Sequence, residues 1–382
     1  MTIAPTMKEP RARPDISPVC LVYWGTKGGG SIFTLRLVTH LLGQQPDTPV
    51  VVSIRRENCD LQQFHELASH VEIIELGGSV QLLRAPTTAL RAVSTHARRL
   101  RALRPSAVVF TMNSPLCVPL ALLLRAARVR IVYVVHDAAP HPGDYYPALQ
   151  RLTHTVLMAC ANDVVALSHF VQQELLRKRP SHSGEIRMIA IEALEPVREG
   201  SHPSMPPSRP LALLFLGRLL AYKGLPFLRE VLEPMRGRSD WHLTIAGEGP
   251  LAGWVLNAFA DWPQVTLELG WVDEARFDAL IDAHHLLLCP YTEASQSGVA
   301  ARSLARGLPT IATPEGALPE QIRRLDPGLV ADATTPEAFR RALTRILDDP
   351  NRIGRLSTKS LALTRSLRER AGWIDIVTSR PR

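Results

Sequence analysis

What the chain has little of narrows it first. Its 382 residues hold five cysteines, Cys20, Cys59, Cys117, Cys160 and Cys289. They are scattered, none forms a CxxC pair, and most sit among apolar neighbours. That argues against a disulfide frame and a zinc site, and reads as reduced core thiols. Long apolar runs are missing. The longest, Leu116 to Leu124, is too short to span a bilayer and contains Pro119. The N-terminus carries prolines and charges but no apolar h-region, so no signal peptide is expected and a cytoplasmic location is. No GK[ST] closes the glycine-rich turn near residues 25–31, so it is not a Walker A loop, and it is not GxGxxG either. A DxD-like acidic cluster, which would hold a metal, is absent from the chain. No aromatic platform accompanies the arginines, so nucleic acid is the weakest partner reading.

The formal net charge is +8. It favours anionic partners such as nucleotides or lipid headgroups without choosing among them. The length exceeds one typical core, so two domains are expected. Residues 1–17 carry three prolines and read as a loose leader. Strand and helix patterns then alternate through residues 18–195. A segment dense in proline, serine and charge, 196–210, reads as a linker. The alternation restarts over 211–349, and leucines at helical spacing mark a last helical segment over 350–382. Alternation in both halves predicts an α/β chain of two doubly wound parallel sheets.

In the first half, an apolar strand at Val19 to Trp24 runs into Gly25-Thr26-Lys27-Gly28-Gly29-Gly30-Ser31 and a helix. The glycines either let a ligand or facing domain approach the backbone or simply make a tight turn. A helical stretch from about Val80 to Arg104 carries Arg84, Arg91, Arg98, Arg99, Arg101 and Arg104, with Leu83, Leu90, Val93 and Leu100 opposite. Its basic face either rests on an anionic membrane surface or is a solvated outer face. A strand at Arg130 to Val135 ends in His136-Asp137, followed by Pro140-His141-Pro142-Gly143-Asp144. Ligand crevices in open α/β sheets lie beyond the carboxyl ends of strands, which makes His136, and less directly Asp137 and His141, site candidates.

In the second half, Gly217-Arg218 follows a strand directly and Lys223-Gly224 opens a helix. Two cations five residues apart around one βα loop reach a common anion, and a diphosphate has charge enough for both. Gly247-Glu248-Gly249-Pro250 and Gly270-Trp271-Val272 are turns at strand ends whose backbone suits a base. Leu286 to Cys289 is a strand, Ser295-Gln296-Ser297-Gly298 a small-residue loop, and Val299, Leu304 and Ala305 share a helix face. A helix start of this kind either binds phosphate or carries an ordinary Ser cap. Glu320 falls near the start of another helix, where it complements the dipole.

Taken together, Gly217-Arg218…Lys223-Gly224, Gly247-Glu248-Gly249-Pro250, Pro290-Tyr291…Ser295-Gln296-Ser297-Gly298-Val299…Gly307-Leu308-Pro309 and Gly316…Glu320 resemble the C-terminal half of a GT-B glycosyltransferase of family 4. The resemblance covers about 209–325 well and reaches more weakly to Tyr23–Ser31 and His136-Asp137. It implies a retaining, metal-independent transfer of a sugar from a nucleotide donor, UDP or GDP being expected, and no further cofactor. The donor would lie on the C-terminal domain and the acceptor, a glycan or lipid-linked molecule, on the N-terminal one. By match to the motifs, Arg218 and Lys223 hold the diphosphate, and Ser297, Gly298 and Val299 bind phosphate by backbone. Gly217, Gly247, Glu248 and Val272 line the nucleotide. Gly29 and Gly30 close over it from the other domain, His136 sits by the transferred sugar, and the last helix crosses back to the first domain. The family often has two glutamates eight residues apart, but those positions here are Ala294 and Arg302, with Glu293 one residue early. A subset carries an Ala-Ser/Thr-Gln-Ser-Gly-Val version, so the departure bears on ribose recognition rather than on activity. The alternatives are a natural-product transferase, a sugar-nucleotide epimerase, and a nucleotide-sugar-binding protein without turnover.

Overall fold

A computed structural model describes residues 16–76, 86–139, 146–178, 185–203, 205 and 207–379. Arg84 and Leu83 of the basic stretch, residues 1–15 of the leader, and His141 with Asp144 lie outside the described residues.

The first sheet contains β1 (Val19–Tyr23), β2 (Val50–Arg55), β3 (His70–Ile74), β4 (Ala107–Phe110), β5 (Ile131–Val135), β6 (Asp163–Ala166) and β7 (Glu185–Met188). Its order is β3-β2-β1-β4-β5-β6-β7, and every pairing is parallel. The helices are α1 (Gly29–Gln44), α2 (Leu61–Leu67), α3 (Pro86–Ala102), α4 (Cys117–Ala126), α5 (Pro147–Cys160) and α6 (His169–Lys178). Because side chains alternate along a strand, β1 feeds two cores. Val19, Leu21 and Tyr23 meet α1 and α2 on one face, while Cys20 and Val22 meet α3 to α6 on the other.

The second sheet has β8 (Leu211–Leu216), β9 (Trp241–Gly247), β10 (Val265–Leu269), β11 (Leu286–Cys289) and β12 (Thr310–Ala312), in the order β10-β9-β8-β11-β12, again all parallel. Around it lie α7 (Leu225–Leu232), α8 (Ala252–Ala258), α9 (Glu274–Ala283), α10 (Gly298–Ala305), α11 (Leu318–Ile322) and α12 (Pro336–Asp348). Local chemistry fixes several helix starts. Asp273 caps α9 through the amide of Arg276 at 2.8 Å, and Thr335 caps α12 just before Pro336.

The chain then returns. Helix α13 (Asn351–Glu369) packs on α10 and on the short 3-10 turn Ile191–Leu194. Helix α14 (Trp373–Thr378) buries Trp373, Ile376 and Val377 in the core of the first sheet. Arg368 donates to the carbonyl of Leu194 at 3.0 Å, and Arg130 to that of Ser379 at 2.8 Å.

Two expectations are corrected. Leu90 is 55% exposed, while the buried side chains of α3 are Val93, His96, Ala97 and Leu100, all nearer its C-terminal end. Cys59 is exposed rather than a core thiol, while the other four cysteines are buried and all five are free.

Candidate active site

Strand order reverses between β1 and β4 in the first sheet and between β8 and β11 in the second. Such switch points open a crevice beyond the carboxyl ends of the strands. The turn Gly25–Gly30 leaves β1, Thr111 follows β4, Gly217 leaves β8 and Pro290 leaves β11. The two crevices meet. Gln296, before α10, puts its amide nitrogen 3.3 Å from Nδ1 of His136 at the end of β5. Lys27 reaches from the glycine turn to within 4.0 Å of a Glu248 carboxylate oxygen and lies 4.8 Å over the ring of Trp271. Ser168 donates to the carbonyl of Ser295 at 3.0 Å.

The cations of the second half are arranged differently from each other. Arg218 is exposed and donates to the Tyr222 hydroxyl at 3.1 Å. Lys223 is partly buried, with Nζ 3.8 Å from the ring centroid of Tyr291 and 5.1 Å from that of Tyr222. Burial pushes its pKa down to about 8. Arg218 adds to that shift, while Cys289 and the Asp137 carboxylate across the cleft oppose it. Among the described residues Lys223 is therefore a cation without a paired carboxylate, held against two aromatic rings, an arrangement that an incoming diphosphate would stabilise.

Ser297 takes the ordinary role rather than the phosphate-binding one. Its hydroxyl caps α10 through the amide of Ala300 at 3.2 Å. Its own N–H donates to Gln321 Oε1 at 2.9 Å. The amides of Gly298 and Val299 lie in the first turn of this helix, where no intrahelical acceptor exists.

The glycines divide as well. A Cβ on Gly29 would meet nothing within 4 Å, so this position has room for a ligand. A Cβ on Gly30 would meet the Tyr23 ring at 2.5 Å, so Gly30 is required by the fold. At Gly247, φ is +143° and a Cβ would lie 1.9 Å from the carbonyl oxygen of Gly217, so these two turns touch backbone to backbone. A Cβ on Gly217 would meet the Val299 side chain at 3.4 Å, which puts the β8 turn beside the α10 start. Glu248 is exposed at the crevice, and Val272 packs its side chain against the second core.

His136 is neutral in this setting. Burial pushes its pKa down, although Asp137 and the bond to Thr111 oppose it. Nε2 donates to the Thr111 carbonyl at 2.9 Å, leaving Nδ1 to accept from Gln296. Phe33 meets the ring edge-on at 4.7 Å. Beyond His136 and Asp137 a cavity of about 750 Å³ opens toward α5, lined by Tyr133, Leu149, Arg151 and His154 among others.

Arg302, where a glutamate was the common family residue, is buried. It donates to Asp278 at 2.7 Å and Glu274 at 2.5 Å and stacks over Phe277 at 4.5 Å. Glu320 lies in the first turn of α11, as expected, and also serves another helix. Its carboxylate accepts from the amides of His169 and Phe170 at 3.1 and 3.3 Å, capping α6 of the other half. Sequence reasoning missed Lys27, Gln296 and the Tyr222–Tyr291 cage. Only Lys27 had a signal, as the one cation inside a glycine turn.

Family models match both halves, one described as glycosyl transferases group 1 over residues 210–349 and one as glycosyltransferase family 4 over 27–190. The chain belongs to the family 4 glycosyltransferases. Solved structures agree on the GT-B fold. Anabaena HepE in complex with UDP-glucose is 13% identical with a TM-score of 0.68, over 92% of this chain and 97% of that one. Sucrose-phosphate synthase from Thermosynechococcus elongatus is 16% identical with a TM-score of 0.67, over 92% and 94%. The lipopolysaccharide outer core galactosyltransferase WaaB is 14% identical with a TM-score of 0.61, over 93% and 95%. No curated protein sequence matches this glycosyltransferase.

Proposed function

We propose that this glycosyltransferase moves a hexosyl group, with retention and without a metal, from a UDP- or GDP-sugar to a glycan or lipid-linked acceptor in bacterial surface polysaccharide assembly. The carrying observation is the convergence of Arg218, Lys223 and the Gly298–Val299 amides at one switch point, with His136 3.3 Å from Gln296 across the cleft. Breaking the glycosidic bond develops charge on the β-phosphate. Two cations and a helix start fixed at that point stabilise it, the contribution that is usually largest in enzymes. Neutral His136 presents a ring to the sugar and holds no proton to donate at Nδ1. The UDP-glucose bound to HepE supports UDP as the first donor to test. The acceptor enters from the first-sheet side, where the cavity beyond His136 has the room.

The test is a thermal-shift screen against UDP, GDP, ADP and dTDP sugars on the natural chain and on Arg218→Ala/Lys223→Ala. A hundredfold excess over Kd adds about 2.7 kcal/mol of stability. Stabilisation by one nucleotide class, lost in the double variant, is expected. No response to any nucleotide from a folded protein refutes the reading. Interconversion of the donor sugar with no acceptor present would replace transfer by epimerisation.

A further inference from the structure

From residue 76 to residue 136 the sequence contains no aspartate or glutamate and nine arginines. That segment supplies α3 and α4. Helix α5, which follows, is also free of acidic residues and carries Arg151. The three helices lie side by side on one face of the first sheet, sharing a single core beneath them. Their outward surface therefore has cations with almost nothing of opposite sign. Arg91, Arg98 and Arg101 on α3, Arg125 and Arg128 at the end of α4, and Arg151 are all exposed. The exception is Arg99, 3.9 Å from Glu72 of β3.

The same surface is unusually apolar. Of the twelve exposed large apolar side chains among the described residues, six belong to this layer: Leu90, Leu122, Leu123, Tyr146, Leu149 and Leu152. A solvated outer face would mix both charge signs and hide its leucines. Arginines beside protruding leucines suit the boundary between phosphate headgroups and acyl chains. No helix among the described residues is long and apolar enough to cross a membrane. The layer also borders the cavity beyond His136, since Leu149 and Arg151 of α5 line both.

We propose that the outer face of α3, α4 and α5 seats the protein on an anionic membrane leaflet. Arg91, Arg98 and Arg125 meet the headgroup phosphates, and Leu90, Leu122 and Leu152 enter the acyl boundary. An acceptor with a hydrocarbon anchor and a phosphate-bearing head then reaches His136 along Leu149 and Arg151 without leaving the bilayer. That last step rests on the transferase reading, but the seating does not.

The full chain is to be floated with phosphatidylcholine vesicles, with and without phosphatidylglycerol, at low and high salt and without donor. Retention only on the anionic vesicles, weakened by salt, is expected. Each arginine near an anionic leaflet contributes about fivefold in partitioning, so Arg91→Gln/Arg98→Gln/Arg125→Gln should bind about a hundredfold more weakly. Leu122→Ser/Leu152→Ser should still adsorb at low salt and come off at a salt concentration the natural chain withstands. Equal retention on both vesicle types, none on either, or a triple variant that binds like the natural chain overturns the proposal. So does a short nucleic acid duplex that competes with the vesicles at equal affinity, which would assign the surface to nucleic acid. Donor-induced stabilisation, measured on the same samples, reports fold and transferase site separately, so either can fail without the other.

Discussion

Replacing Lys223 by methionine should make the protein more stable and a worse donor binder at once. A pKa displaced from 10.5 to about 8 means that the fold disfavours the charged side chain. At pH 7 that disfavour is roughly 3 kcal/mol, at about 1.4 kcal/mol per pH unit, before solvent reaching the partly exposed side chain screens some of it. Methionine keeps the stem between Tyr222 and Tyr291. It loses a cation–π contact of about 1 kcal/mol and regains part through its sulfur. The net expectation is a gain of about 1–2 kcal/mol, or a few degrees in a melt without nucleotide. The sign with pH is fixed. Below about 8 both folded and unfolded chains carry the proton and the penalty is full. Between about 8 and 10.5 the unfolded chain binds more protons, so the natural protein gains on the variant as pH rises. Donor binding runs the other way. A charge-assisted contact to the diphosphate is worth about 1.5–3 kcal/mol, so Kd should rise ten- to a hundredfold in the variant. In the natural chain Kd should climb up to about tenfold per pH unit above 8. Melts at pH 7 and 9.5, with nucleotide titrations at each, read all of this. A variant less stable at pH 7, or a stability difference that does not change with pH, refutes the reasoning.

Lys27→Ala removes one exposed ion pair and one cation–π contact across the cleft, together about 1 kcal/mol, so donor release should quicken about fivefold with little change in melting; stopped-flow release at low and high salt checks it, and an unchanged rate counts against the contact. Gly29→Ala should hold or raise stability, since the position is open and lies at a helix start, while Gly30→Ala should lose about 1–3 kcal/mol by displacing the Tyr23 ring; parallel melts and donor KM values separate a ligand position from a fold position, and equal effects would erase the distinction. Arg302→Glu, which installs the common family residue, should cost about 3–5 kcal/mol rather than improve donor binding, because it leaves Asp278 and Glu274 facing a third carboxylate; a stable variant with tighter donor binding would overturn this.

The strand and helix alternation was legible because parallel strands buried on both faces read as apolar runs, and helices between them as leucine stripes. That Arg218 and Lys223 stand at one strand end was legible too, since five residues around a βα loop cannot carry them far apart. What was not legible depends on which surfaces meet across long sequence separations. Glu320 stands at the start of its own helix, yet caps α6, 150 residues away in sequence. Nothing in its neighbours in sequence records that partner. Ser297 and Gly298 share one loop, but Gln321 takes the Ser297 amide and so separates a cap from an anion contact. Leu90 fits a helical stripe on spacing alone, but the core covers only the stretch of α3 from Val93 to Leu100, and Leu90 stays outside it.

Arg302 shows what a departure from a family pattern means physically. Beside it, Arg36 of α1 pairs with Glu195, whose carboxyl burial pushes up to about 7 against the pull of that guanidinium. Arg368 of α13 donates to the carbonyls of Leu194 and Glu195, and Arg306 pairs with Asp282, which also holds Arg198. These charges alternate along the seam where the linker and the returning helix cross between the two sheets. Arg36 pairs the one buried carboxylate of this seam, Glu195, while Arg302 and Arg306 pair the partly exposed Glu274, Asp278 and Asp282. A glutamate at 302 would need a ligand hydroxyl to satisfy it, whereas an arginine is satisfied by Asp278 and Glu274 whether or not a ligand is bound. Position 302 therefore belongs to the frame between the two halves and presents no carboxylate to the crevice, where Glu248 stays exposed.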